Sequence, residues 1–177
     1  YELSRNFGRI ENPQEEKTAL SNTVRLLESM PAPTNRRIGM LVEALVRGGE
    51  GFAEAGEFIT AEDMYSRAIQ RYERALGLGQ LRKSAAYGKA YANLADILFF
   101  QRDDLDGALS LYEKAKDSEY ITADTYYKQG YIHYRRERWE KALENFYRAG
   151  LDSDESPYLL YSTGNTLFQR EDYFAAQ

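Results

Sequence analysis

From Glu16 to Met30 the apolar residues Leu20, Val24, Leu27 and Met30 recur at spacings of four and three, with polar residues between them. That period predicts an amphipathic helix with a single buried stripe. Pro31 and Pro33 end it, because proline has no amide donor and the residue before it avoids the α region. Beyond the prolines the helical period predicts further segments at about 34–55, 59–77, 80–101, 105–117, 122–136, 139–150 and 157–170. No run of five residues alternates cleanly and β-branched residues are scattered, so no strand is predicted. Residues 1–15 carry no sustained period and read as an irregular arm. The fold class is all-α.

The helices repeat. The stretch containing Tyr126, Gly130, Tyr134, Trp139, Ala142, Phe146 and Ala149 reappears in outline 34 residues later, where Gly164, Tyr173 and Ala176 fall in register. Shifted back by the same period, Ala142, Phe146 and Ala149 become Ala108, Tyr112 and Ala115. An earlier unit supplies Gly49, Phe52, Gly56, Phe58, Ala61, Tyr65 and Ala68. The second unit has Tyr91, Leu94, Ala95 and Leu98 on its first helix and needs one extra residue in the Asp103–Asp106 turn. The step from Ala61 to Ala108 exceeds one period, and the surplus falls around Gly77-Leu78-Gly79.

A two-helix unit of 34 residues, with small residues at fixed points and aromatics between them, resembles the tetratricopeptide repeat (TPR) family. The resemblance implies a right-handed superhelix, or solenoid, of antiparallel helix pairs. Residues 1–33 would form an arm and a packing helix, and 34–177 the array. Its units would run over about 38–80, 87–122, 123–156 and 157–177, the last one truncated. Such an array stacks each pair on its neighbours and leaves apolar surface at its ends. The fourth unit stops one residue after Ala176, and the chain opens on Tyr1, so the sequence predicts that the natural protein continues.

Composition narrows the function classes. The chain of 177 residues has no cysteine and one histidine, His133, so thiolate chemistry, disulfides and a multi-histidine metal site are excluded. Absence of cysteine gives no compartment, since cytoplasm and periplasm are both compatible with it. A net charge of −5, concentrated in the C-terminal half, argues against a phosphate backbone as partner. No stretch has the ~20 consecutive apolar residues of a membrane span.

Three strings imitate chemistry and fail on context. Asp104-Leu105-Asp106-Gly107 with Glu113 resembles part of a calcium loop, but its first ligand position is Arg102 and Ala108–Glu113 is predicted helix. A charged inter-helix turn with Asp106 near an N-cap is the better reading. Gly48, Gly49, Gly51 and Gly56 follow no strand and precede no Gly-Lys-Ser/Thr, which removes the phosphate-loop reading. His133 with Glu137 at i+4 could pair as base and orienter, yet no nucleophile stands in register, and the histidine reads as a packing residue. The expectation is no enzyme, no cofactor and no metal.

The aromatic excess, 15 tyrosines with 8 phenylalanines, is the sharper signal. In the family resembled, the first helix of each pair lines a concave groove. Carried over by repeat position, that face holds Phe99 and Phe100 in the second unit and Tyr127, Tyr131 and Tyr134 in the third. The fourth unit supplies Tyr158, Tyr161, Asn165 and Phe168. Tyr127, Tyr131 and Tyr134 lie at i, i+4 and i+7 and share one helix face. Tyrosine suits such a groove because it buries a ring and keeps a hydroxyl for a peptide carbonyl. The competing reading is that these tyrosines only pack against the neighbouring repeat. The expected function is a protein–protein interaction scaffold binding a peptide or helix. The alternative is a structural subunit that self-associates through the array. A chaperone-type carboxylate clamp is disfavoured, since Glu50 and Asp96 occupy positions where that clamp has amides.

Overall fold

The structure is a computed structural model that describes residues 13–31, 33–151 and 157–170. These residues form eight α-helices and no strand. They are α1 (Pro13–Ser29), α2 (Asn35–Glu54), α3 (Phe58–Gly77) and α4 (Ala85–Gln101), followed by α5 (Leu105–Asp117), α6 (Ala123–Arg135), α7 (Trp139–Leu151) and α8 (Pro157–Gln169). Residues 1–12 of the expected arm lie outside the described residues. Its last residues are helical instead, because Pro13 sits where a helix has no use for an amide donor and Glu15 and Glu16 follow in the first turn.

Side-chain caps set the starts. Thr34 accepts from the Arg37 amide at 3.3 Å, Asp104 from Gly107 at 2.9 Å, and Thr122 from Thr125 at 3.1 Å. Thus Asp104, not Asp106, caps α5; Asp106 stands in its first turn and accepts an ion pair from Arg136 at 2.7 Å. The fourth helix starts at Ala85, five residues later than the period predicts. Gly79 takes φ +67° after α3, and Ser84 then caps α4 by accepting from the Ala86 amide.

The turns repeat as the helices do. Gly56, Asp103 and Glu137, each between the two helices of a pair, all take positive φ (77°, 50° and 55°). At Gly56 and Glu137 the following amide closes the helix end, Glu57 to the Phe52 carbonyl at 2.8 Å and Arg138 to that of His133 at 2.9 Å. In the middle turn the corresponding bond, from Asp104 to the Leu98 carbonyl, spans one residue more. This is where the sequence required an insertion.

Helices pack in antiparallel neighbours: α2 on α3, α4 on α5, α6 on α7, with α1 against α2 and α8 against α7. Within each pair the same residue types meet. Ala61, Ala108 and Ala142 are fully buried, and so, four residues on, are Tyr65, Tyr112 and Phe146. Opposite these rings stand Gly49, Ala95 and Gly130, all buried. A Cβ on Gly49 would lie 2.5 Å from the Tyr65 ring, and one on Gly130 2.5 Å from that of Phe146. The glycines are there because the ring takes the space of the side chain. The first two pairs share the main core, in which Leu41, Leu45 and Tyr72 meet Ala90, Tyr91 and Ala115. Between the second and third pairs the apolar contact thins: Ile132 of α6 joins Ala95, Leu105, Ala108 and Tyr112, while α6, α7 and α8 hold a cluster of their own around Phe146 and Leu159. No described helix is long and apolar enough to cross a membrane.

Candidate functional site

The first helices of the pairs, α2, α4, α6 and α8, carry every residue expected to touch a partner, and the structure sorts these residues into two groups. Tyr127, Tyr131 and Tyr134 are half-buried at the seams between pairs. The Tyr127 ring tilts against Phe146 with centroids 5.7 Å apart, and its hydroxyl lies 3.3 Å from Ser162 Oγ on α8. Tyr131 packs edge-on to Phe99 of α4 at 5.7 Å, and Arg135 Nη1 donates to its hydroxyl at 3.4 Å. Tyr134 accepts from Asn165 Nδ2 at 3.1 Å while its ring stands edge-on to Trp139. These residues join one pair to the next as well as facing outward. Val46 of α2 and Ala92 of α4, which stand at the repeat position of Tyr127, are buried in the main core instead.

The second group is exposed. Phe100, Tyr158, Tyr161 and Phe168 show 62, 76, 72 and 55 % of their surfaces. On α8, Tyr158, Tyr161, Asn165 and Phe168 follow at steps of three, four and three, which keeps them on one face. Phe100 stands at the end of α4, with the Phe99 ring at 4.8 Å and the Lys128 ammonium 5.3 Å from its centroid.

Beside Phe100 the same face opens into a cleft of about 330 Å³ between the ends of α2 and α4. Glu50, Ala53 and Glu54 of α2 form one wall, Lys89, Asn93, Asp96, Ile97, Phe100 and Gln101 of α4 the other, and Phe58 and Tyr65 of α3 complete it. Glu50 Oε1 receives Lys89 at 2.6 Å and Asn93 Nδ2 at 3.1 Å. Asn93 Nδ2 also reaches the Tyr65 hydroxyl at 3.3 Å. Asp96 Oδ1 accepts from Tyr112 at 2.6 Å and from Lys128 at 2.8 Å, and Lys128 turns back to Asp124 at 2.5 Å.

These contacts set the protonation states. Burial pushes the Tyr65 phenol well above its usual range, and the Glu50 charge adds to that push; the Asn93 hydrogen bond opposes it, and Asp96 and Glu54 raise it further. Burial also raises Tyr112, helped by Asp96 beside it. Burial works to lower Lys128, but its hydrogen bonds to Asp124 and Asp96 outweigh this and hold the ammonium above its ordinary value. The Glu50 hydrogen bond keeps Lys89 charged. The cleft thus holds its lysines in their charged form and its phenols un-ionised at neutral pH.

Asn93, Lys128 and Tyr65 were not marked as site residues by repeat position. Asn93 and Lys128 occupy the same place in their helices, one residue after Ala92 and Tyr127. The available signal was a polar side chain amid small and apolar neighbours, in Tyr91-Ala92-Asn93-Leu94-Ala95. The chemistry-like strings resolve otherwise. Asp104 and Asp106 are spent on a cap and an ion pair. His133 is 6 % exposed with Nδ1 unpartnered, and the charges that act on it belong to Lys141, Arg138, Glu113 and Glu144, not Glu137.

No family model matches the chain, and no curated protein sequence does. Among solved structures it is similar to BtubC (BKLC) from P. vanneervenii, with a TM-score of 0.70 at 15 % identity over 94 % of this chain and 69 % of that one. At that identity the likeness establishes a shared all-helical, repeat-like fold.

Proposed function

We propose that this chain is a protein–protein interaction scaffold. In this reading its helix pairs form a right-handed tetratricopeptide-like superhelix, and the first-helix face is the concave groove for an extended peptide or a helix. The observation that carries the reading is the set of aromatics left exposed on that face. Phe100, Tyr158 and Tyr161 each keep more than half their surface in water. Rings used only for packing would be buried, as Tyr65, Tyr72 and Tyr112 are. Aromatic side chains at a binding surface supply large contact area at low entropic cost. Fold alone does not dictate this role; the residues on one face do.

The test replaces Phe100, Tyr158 and Tyr161 together by alanine and compares partner capture from the source cell with that of the parent. Circular dichroism should be unchanged, because these rings bury little. A partner retained by the parent and lost by the variant supports the groove. Equal recovery by both would sink it. Recovery of the chain alone, with a mass that rises with concentration, would instead favour self-association through the face of α8 that exposes Leu160 (62 %).

A further inference from the structure

The cleft between α2 and α4 has a chemistry more specific than an aromatic groove. Its charges are unequal: Glu50, Glu54, Asp96 and Asp124 stand against Lys89 and Lys128. Lys89 is matched to Glu50, and Lys128 to Asp96 and Asp124. Glu54 enters no ion pair or hydrogen bond among the described residues, and it acts as a charge on Tyr65. The carboxylates leave several acceptors open. Glu50 and Asp96 each use one carboxylate oxygen for both of their bonds, so Oε2 and Oδ2 are open. Asn93 spends its amide hydrogens on Glu50 and Tyr65, which leaves its carbonyl oxygen. Phe58 and the exposed Phe100 flank these acceptors.

A cleft with several open carboxylate acceptors, negatively charged and edged by phenyl rings, complements a cation with several donors and a flat, weakly hydrated face. Guanidinium has five N–H donors and no acceptor, and it stacks on aromatic rings, whereas ammonium is a compact, strongly hydrated point charge. The volume of about 330 Å³ is at the lower end for ligand pockets, enough for one long side chain and too small for a folded element. The geometry points to this cleft as the pocket for an arginine side chain of the partner segment. The guanidinium lies between Glu54 on α2 and Asp96 on α4, with its stem against Phe100. This specifies the ligand chemistry of the groove proposed above and rests on that reading for the partner's being a peptide.

The test uses four synthetic probes, the capped pentapeptide Gly-Ser-X-Ser-Gly with arginine, citrulline, lysine or glutamate at X. Each is titrated into isotopically labelled protein while the Asn93 side-chain amide is followed by NMR. Citrulline keeps the shape of arginine and removes its charge. The arginine probe should shift the Asn93 amide at concentrations about tenfold lower than the citrulline probe. Glu54→Gln should bring the arginine probe down to the citrulline level without altering the circular dichroism. No shift, or equal response to arginine and citrulline, would overturn the pocket. Equal response to arginine and lysine would overturn the guanidinium assignment. The outcome is separable from that of the groove. A silent cleft with partner capture still lost in the Phe100/Tyr158/Tyr161 variant removes the pocket alone. A responsive cleft with capture unaffected removes the groove and leaves the pocket.

Discussion

Replacing Gly130 by alanine sets two effects of opposite sign against each other. Alanine is the better helix former, and in a helix interior the exchange gains up to about 1 kcal/mol. Against this, the new methyl carbon would stand 2.5 and 2.6 Å from Cδ1 and Cε1 of Phe146, and 3.2 Å from the Ala142 carbonyl oxygen. The Phe146 ring is 1 % exposed and has Tyr127 against it, so it has no free space to turn into. The carbonyl belongs to α7 and moves only with the helix. Overpacking of this kind costs about 1–3 kcal/mol, so against the full helix gain the net expectation is a loss of up to about 2 kcal/mol. In a chain of this size that lowers Tm by up to about 8 °C. Gly77→Ala is the control, because a Cβ there meets nothing within 4 Å and only the helix gain, up to about 1 kcal/mol, should appear. Urea denaturation followed by circular dichroism measures both. A Gly130→Ala variant as stable as Gly77→Ala would refute the close packing of α6 on α7 on which the repeat assignment rests.

His133 supplies a pH dependence. Burial holds its pKa below 6.5, with Lys141 and Arg138 adding to the shift and Glu113 and Glu144 opposing it. The unfolded chain therefore takes up the proton first; stability is full above pH 6.5 and falls as the pH drops through and below that value. As the chain has one histidine, His133→Phe should flatten the slope between about pH 5.5 and 7; an unchanged slope would exonerate the residue. Glu137 holds φ +55° where the first pair has Gly56. Glu137→Gly should raise stability by about 0.5–1 kcal/mol, the left-handed strain relieved exceeding the added chain entropy. Gly56→Ala should lower stability, and matching signs in the two denaturation curves would contradict the equivalence of the turns.

Period and repeat were legible because the buried residues that make them are local. Ala142, Phe146 and Ala149 mark a helix face by themselves, and a shift of 34 finds their counterparts. The late start of α4 was not legible, because apolar Leu81 continues the period while the backbone has already turned at Gly79. The exposed face of the proposed groove was half legible. Repeat position identifies which helix face a residue shares, but not whether the neighbouring pair comes close enough to cover it. Tyr127 meets Ser162, and Tyr134 meets Asn165, across a seam whose spacing only tertiary structure sets. Tyr158 and Tyr161 have no such neighbour among the described residues and stay in water. The cleft depended on the same information, since Glu50 and Asn93 are 43 residues apart in the chain.

One carboxylate oxygen, Asp96 Oδ1, receives both the hydroxyl of Tyr112, a ring buried inside its own helix pair, and the ammonium of Lys128 from the next pair. In the proposed pocket the ligand would fall to the other oxygen, Oδ2, so recognition and structural integrity would share one side chain. Residues of this kind have little freedom to drift, because any substitution that altered what the cleft accepts would also loosen a pair and its junction. Glu54, Tyr158 and Tyr161 carry no comparable debt to the interior. Divergence of specificity, by mutation in nature or in the laboratory, has its open road at those three positions, and Asp96 is where it is closed.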